Sequence, residues 1–194
     1  FFPSLPADVG YEELCDAVGA FGPIESIKIV VDKAQAHINF VDVGSAYQLI
    51  LATGSHVVLQ GKPTLMQWGR SRPVVRELMT AIRNGATRNL YVANVGESVE
   101  EAQLTAVFQP FGDLESVRLV PKKRAAFVNF TSISAAMRAK DGVHCRQPLP
   151  PEPGEPEPSK PFMINFTSSQ QNCMRARGGG GMGGLRPDGR GPDG

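Results

Sequence analysis

The feature that most constrains this chain is an internal repeat. The segment FGPIESIKIVVDKAQAHINF at 21–40 lies over FGDLESVRLVPKKRAAFVNF at 111–130, and the constant offset of 90 residues holds without a gap from Leu5 over Val95 to Ala46 over Ala136. Self-similarity of this length and spacing indicates duplicated units rather than a chance match. With 194 residues, the chain accommodates two units of about 80 residues each.

Within each copy the hydrophobic period changes in a readable order. Leu104, Val107, Phe108 and Phe111 fall at i, i+3, i+4 and i+7, one apolar face of a helix, and Leu14, Ala17, Val18 and Phe21 repeat it in the first copy. Ser98 followed by Glu101 has the spacing of a capping box, which places the start of the second copy's helix there. Beyond the Phe-Gly that closes each helix the period becomes two: Val117 and Leu119 point inward, Ser116 and Arg118 outward. A second strand then puts Ala126, Val128 and Phe130 on the core side and Ala125, Phe127 and Asn129 on the other. Helices over Ser132 to Lys140 and Val43 to Thr53 follow. First strands are expected at Leu90 to Val95 and Phe1 to Leu5, and last strands at Phe162 to Phe166 and Leu65 to Trp68. The order βαββαβ is the α+β, ferredoxin-like arrangement, two helices behind a four-stranded antiparallel sheet. Phe1 falls inside an expected strand, so the chain is expected to continue upstream of it.

A sheet with helices on one side leaves its other face to solvent, where polar side chains are the default. Tyr91 and Phe127, on adjacent central strands and directed away from the helices, therefore need an explanation. Stacking of unpaired bases is the chemistry that uses rings so placed. LYVANV at 90–95 resembles the hexamer, and KRAAFVNF at 123–130 the octamer [KR]-G-[FY]-[GA]-[FY]-V-x-[FY], of RNA recognition motif (RRM) domains. The octamer's usual third-position aromatic is Ala125, so two stacked bases are expected rather than three. Arg118, Lys122, Lys123 and Arg124 supply candidate phosphate contacts, and Asn94, Asn129 and Asn165 candidate polar contacts. In the first copy the stacking positions hold Gln35 and His37, with Phe1 and Lys28 beside them. Its sheet is either a second RNA contact through Phe1, His37 and Lys28 or a protein-binding or spacing unit.

The expected organisation is a first RRM-like domain at 1–70, a linker at 71–88, a second RRM domain at 89–170 with a proline-rich insertion at 146–161, and a Gly/Arg-rich disordered tail at 171–194. Net charge is −3 over 1–70, +3 over 71–88, zero over 89–145, −1 over 146–174 and +2 over 175–194, which concentrates positive charge in linker and tail. In the linker, Pro73 stands at a helix start and Gly85 at its stop. Val74, Leu78 and Ile82 form a stripe, with Val75 and Met79 beside it, that must dock on a domain. Such a helix either fixes the two sheets side by side or covers one of them. The insertion reads as an extended linker or a ligand for WW or SH3 domains. The RARGGGG tail reads as an RGG-type segment or a plain disordered end.

QWGRSRP (67–73), TRNLYVANV (87–95), the short turn at PKKRA and AFVNFTSISAA (126–136) resemble fungal multi-RRM proteins of the negative-regulator-of-differentiation type. PKKRA and PFMINFTSSQ (161–170) are also similar to the hnRNP L and polypyrimidine-tract-binding group. The resemblance implies binding of single-stranded mRNA in post-transcriptional control, in cytoplasm or nucleus; RNP proteins could dock on helical faces or the proline-rich loop. The alternative is an RRM-like protein-interaction module or adaptor. Cys15, Cys145 and Cys173 lack metal-ligand spacing, His37, His56 and His144 lack catalytic partners at recognisable spacing, and no apolar run of about 18 residues is present. No enzyme activity, cofactor, metal or membrane association is therefore expected.

Overall fold

A computed structural model describes residues 1–70, 74–149 and 160–167. In the first repeat α1 (Tyr11–Val18) leads to β1 (Ile24–Val30), β2 (Gln35–Phe40), α2 (Val43–Thr53), β3 (His56–Leu59) and β4 (Lys62–Leu65). The linker forms α3 (Arg76–Arg83). The second repeat carries β5 (Asn89–Ala93), α4 (Glu101–Phe108), β6 (Leu114–Val120), β7 (Ala125–Phe130), α5 (Ile133–Val143) and β8 (Met163–Thr167). The result is a mixed α+β fold of the RRM type. The proline-rich segment from 150 to 159, Pro73 and the tail from 168 lie outside the described residues.

The second repeat builds one antiparallel sheet in the order β6-β7-β5-β8. Its inward residues Leu90, Val92, Ala126, Val128, Phe130 and Ile164 pack on Leu104 and Phe108 of α4 and Ala135, Ala136 and Ala139 of α5. A separate core in the first repeat gathers Phe2, Leu14, Val18, Ile27, Ala36 and Leu49. The Phe-Gly shared by both copies has a steric reason. A Cβ on Gly112 (φ 152°) would stand 2.6 Å from Cβ of Ala135, and one on Gly22 would collide with Ser45, so the turn after each first helix needs glycine to pack on the second.

Three expectations are corrected. The capping box of α4 is Glu100 with Gln103, not Ser98 with Glu101, because the Glu100 amide donates to Gln103 Oε1 at 2.9 Å and the helix starts two residues later. Phe1 to Leu5 is not a full strand: Phe2 forms an isolated bridge with Ala36, supported by the Leu5 amide bonding to Ala34 O. In place of the expected strand at Leu65 to Trp68 and a single four-stranded sheet, the first repeat holds two two-stranded sheets, β1-β2 and an unforeseen hairpin, β3-β4, which ends at Leu65. Its turn residues Gln60 and Gly61 both have positive φ, 49° and 74°, the mirror-image turn that matches strand twist. Beyond Leu65 the chain forms no strand, but Gln67 and Phe1 exchange hydrogen bonds of 2.8 and 2.9 Å.

The repeats touch. The Ile27 amide donates to Thr131 O at 2.8 Å and Ser26 bridges to Ser132. At this joint Arg88, 5% exposed, donates to Glu115 Oε2 at 2.6 Å, to Phe130 O at 3.0 Å and to Cys15 Sγ of the first repeat at 3.3 Å. Burial pushes the Cys15 thiol pKa up to about 12, against the pull of Arg88. The linker helix docks on the second repeat, with Leu78, Ala81 and Ile82 packed among Ile133, Met137 and Phe166; Val41 of the first repeat joins the same cluster.

Candidate nucleic-acid interface

Strand register decides what shares the open face of the second sheet. Tyr91 is paired with Phe127 on one side and Asn165 on the other, and Phe127 with Arg118. Because directly opposed residues point to the same side, Asn165, Tyr91, Phe127 and Arg118 form one row across all four strands. The two rings are half-buried, with centroids 5.5 Å apart and planes tilted by 59°. They offer flat apolar surface flanked by an amide at one end and a guanidinium at the other.

The rows on either side differ in character. One is polar: Thr167, Asn89, Asn129 and Ser116, with Asn129 Nδ2 donating to Ser116 Oγ at 3.0 Å. The other is Met163, Ala93, Ala125 and Val120, apolar and without a ring; Ala125, where a third aromatic would stand, is buried. Lys122 and Lys123 are exposed in the short turn (121–123) joining β6 to β7. Arg124 follows in the left-handed region at φ 46°, its Nε 4.0 Å from Glu97. Arg118 lies 3.5 Å from Glu12 on α1, so the first repeat stands beside this end of the row. Asn94 is engaged in holding the chain together: its Nδ2 donates to Pro161 O at 2.8 Å at the approach to β8.

The first repeat presents a matching row. Lys28 is paired with His37, the Phe1 ring lies 4.7 Å from the His37 ring at 31°, and Gln67 stands opposite Phe1. Lys28, His37, Phe1 and Gln67 thus repeat Arg118, Phe127, Tyr91 and Asn165 in the same order. Partial burial lowers the His37 pKa, and the positive charge of Lys28 lowers it further. Gln67 was not singled out in the sequence; its signal was that the expected edge strand pairs with Phe1, which makes it the counterpart of Asn165. Among the described residues no group of three or more His, Cys, Asp or Glu could hold a metal ion, and no helix is long and apolar enough to cross a membrane.

An antiparallel sheet backed by two helices, with paired rings on its central strands, defines the RNA recognition motif class, and residues 90–147 match the family model described as RNA recognition motif. Residues 90–147 are thus similar to this family, and the chain is similar to fungal RNA-binding proteins. It is 35% identical over 154 residues to RNA-binding protein MRN1 of Saccharomyces cerevisiae, covering 74% of this chain and 25% of that protein. It is 25% identical over 166 residues to RNA-binding protein NAB6 of the same yeast, covering 74% and 15% respectively. The chain therefore spans a quarter or less of the length of these relatives. A solved Sxl-lethal protein/RNA complex is 20% identical, with 84% of this chain and 95% of that one covered at a TM-score of 0.35.

Proposed function

We propose that this chain binds single-stranded RNA, mRNA in particular, with sequence selectivity and acts in post-transcriptional regulation in the cytoplasm or nucleus. In this reading residues 1–70 and 89–170 are two RRM-type domains in tandem. The second supplies the main stacking platform through Tyr91 and Phe127, polar contacts through Asn129 and Asn165, and phosphate contacts through Arg118, Lys122, Lys123 and Arg124. The first adds a weaker contact through Phe1, His37 and Lys28. One observation carries the proposal: the in-register row of amide, two rings and guanidinium on the side of the sheet away from the helices. Similarity to proteins named as RNA-binding supports it.

Each stacked base contributes about 1–3 kcal/mol, so losing both rings costs roughly 2–6 kcal/mol. The test is selection from a random single-stranded RNA pool by the wild type and by a Tyr91→Ala, Phe127→Ala double variant. The wild type is expected to enrich a defined set of sequences and the variant to lose that enrichment. Equal enrichment by both proteins would refute the site.

A further inference from the structure

The offset that relates the two sheets also relates the outer faces of the helices behind them. In the second repeat Ile133 and Met137 of α5 and Phe166 of β8 form the seat on which α3 lies, through Leu78, Ala81 and Ile82. Moved back by 90 residues, Ile133 and Met137 become Val43 and Tyr47 of α2, whose bounds match those of α5 at the same offset. Gln67 faces Phe1 as Asn165 faces Tyr91, so Phe166 becomes Trp68. All three counterparts are bare: Val43 is 77% exposed, Tyr47 55% and Trp68 57%, while Ile133 is 2% exposed. Leu51, one turn beyond Tyr47, is exposed as well.

Such an apolar face needs an occupant, because contiguous exposed apolar surface marks interaction sites. It is continuous with an interface already filled, since Val41 belongs to the cluster around α3 and Val43 lies two residues further on. No charged residue occurs in α2, VGSAYQLILAT, so the face selects by apolar shape. Amphipathic helices present residues at i and i+4 to apolar surfaces of this kind, as α3 does with Leu78 and Ile82 on the second repeat. We propose that this face of the first repeat is a docking site for an amphipathic α-helix of a partner protein, with aliphatic residues spaced as Leu78 and Ile82 are in α3. The second repeat fills the equivalent seat from its own chain; the first fills it in trans. The proposal is independent of RNA binding, because the seat lies on the side of the sheet opposite the ring row.

The test uses the chain as it stands and a synthetic peptide of residues 74–85, VVRELMTAIRNG. Trp68 is the single tryptophan and the peptide contains none, so Trp68 emission reports on this seat and not on the one α3 occupies. The expected result is a saturable blue shift of Trp68, with amide shifts at Val43, Tyr47 and Leu51. Loss of an anchor side chain at such a site weakens binding roughly tenfold or more. A peptide with Leu78→Ser and Ile82→Ser, and a chain with Tyr47→Asp, should each show that loss. The exposed Tyr47 position leaves the circular dichroism and thermal midpoint of the variant unchanged. No shift at the highest soluble peptide concentration overturns the proposal. So does a shift that grows with protein concentration alone, accompanied by dimer mass in sedimentation, which would assign the face to a second copy of the chain.

Discussion

The two repeats keep the same core positions and diverge on both outer surfaces. Leu14 and Leu104, Val18 and Phe108, and Ala36 and Ala126 are buried at matching positions. On the open face, however, His37 and Phe1 stand where Phe127 and Tyr91 stand, and behind the sheet a bare seat stands where α3 is docked. Of the large apolar residues that are strongly exposed among the described residues, seven lie in the first repeat and Met163 alone in the second. The lesson is that inward periodicity preserves the fold, while the two outward faces are free to specialise separately.

The largest expected difference between the repeats lies at their joint. Arg88 and Glu115 are both buried, with side chains 5% and 8% exposed. Removing one partner of a buried pair strands the other charge away from water, a loss of about 3–5 kcal/mol. Arg88→Ala should therefore sharply accelerate amide exchange at Val92 and Val128 in the second sheet. Glu25, the first-repeat counterpart of Glu115, accepts a hydrogen bond from the Ser26 hydroxyl instead. Glu25→Ala should change stability by no more than about 0.5 kcal/mol, as surface substitutions do. Replacing Arg88 and Glu115 together with Met and Leu should recover much of the loss. If Arg88→Ala and Glu25→Ala proved equally mild, the joint would not be the anchor that distinguishes the halves.

That joint also marks where sequence reading stopped. Elements set by periodicity were legible: α2 spans Val43–Thr53 as expected, and β6 and β7 alternate as their residues dictate. The pairing of Tyr91 with Phe127 followed from that alternation. A long-range ion pair leaves no such trace, because Arg88 and Glu115 are 27 residues apart and belong to different periodic segments. The β3-β4 hairpin did carry a local signal, Gln60-Gly61 directly after the β-branched and apolar run Val57, Val58 and Leu59. Pro63 masked it, being tolerated only because β4 is an edge strand. The shift of the capping box from Ser98 to Glu100 is a competition between neighbouring oxygens that spacing alone does not decide.

A smaller effect tests the two rows against each other. Tyr91→Ala should cost about 1–3 kcal/mol of affinity for a single-stranded oligonucleotide at fixed salt. Phe1→Ala should cost less, because its partner ring is an exposed imidazole rather than Phe127. His37→Phe would give the first row the ring of the second and should tighten binding if that row touches RNA. Titration calorimetry on the three variants ranks them directly. Equal losses for Tyr91→Ala and Phe1→Ala would make the repeats equal partners and remove the functional contrast.

The smallest effect separates the second helices of the two repeats. Both are capped at the same offset: the Asp42 carboxylate accepts from the Ser45 amide, and the Ser132 hydroxyl from the Ala135 amide. Either cap contributes about 0.5–2 kcal/mol, but only one titrates. The side-chain and backbone hydrogen bonds from Ser45 hold the Asp42 pKa below its ordinary value. A depressed folded pKa means that the contribution is complete above the unfolded carboxylate value and is lost as pH falls through the folded one. Acidification from about pH 5 to about pH 2 should therefore loosen the start of α2 while the Ser132 cap on α5 holds. Amide chemical shifts and exchange at Ser45 and Ala135 read the two caps in one sample. Asp42→Ser should keep the cap and abolish the pH dependence; if Ser45 still responds to acid in that variant, the response belongs to another carboxylate and the two helices are not distinguished by their caps.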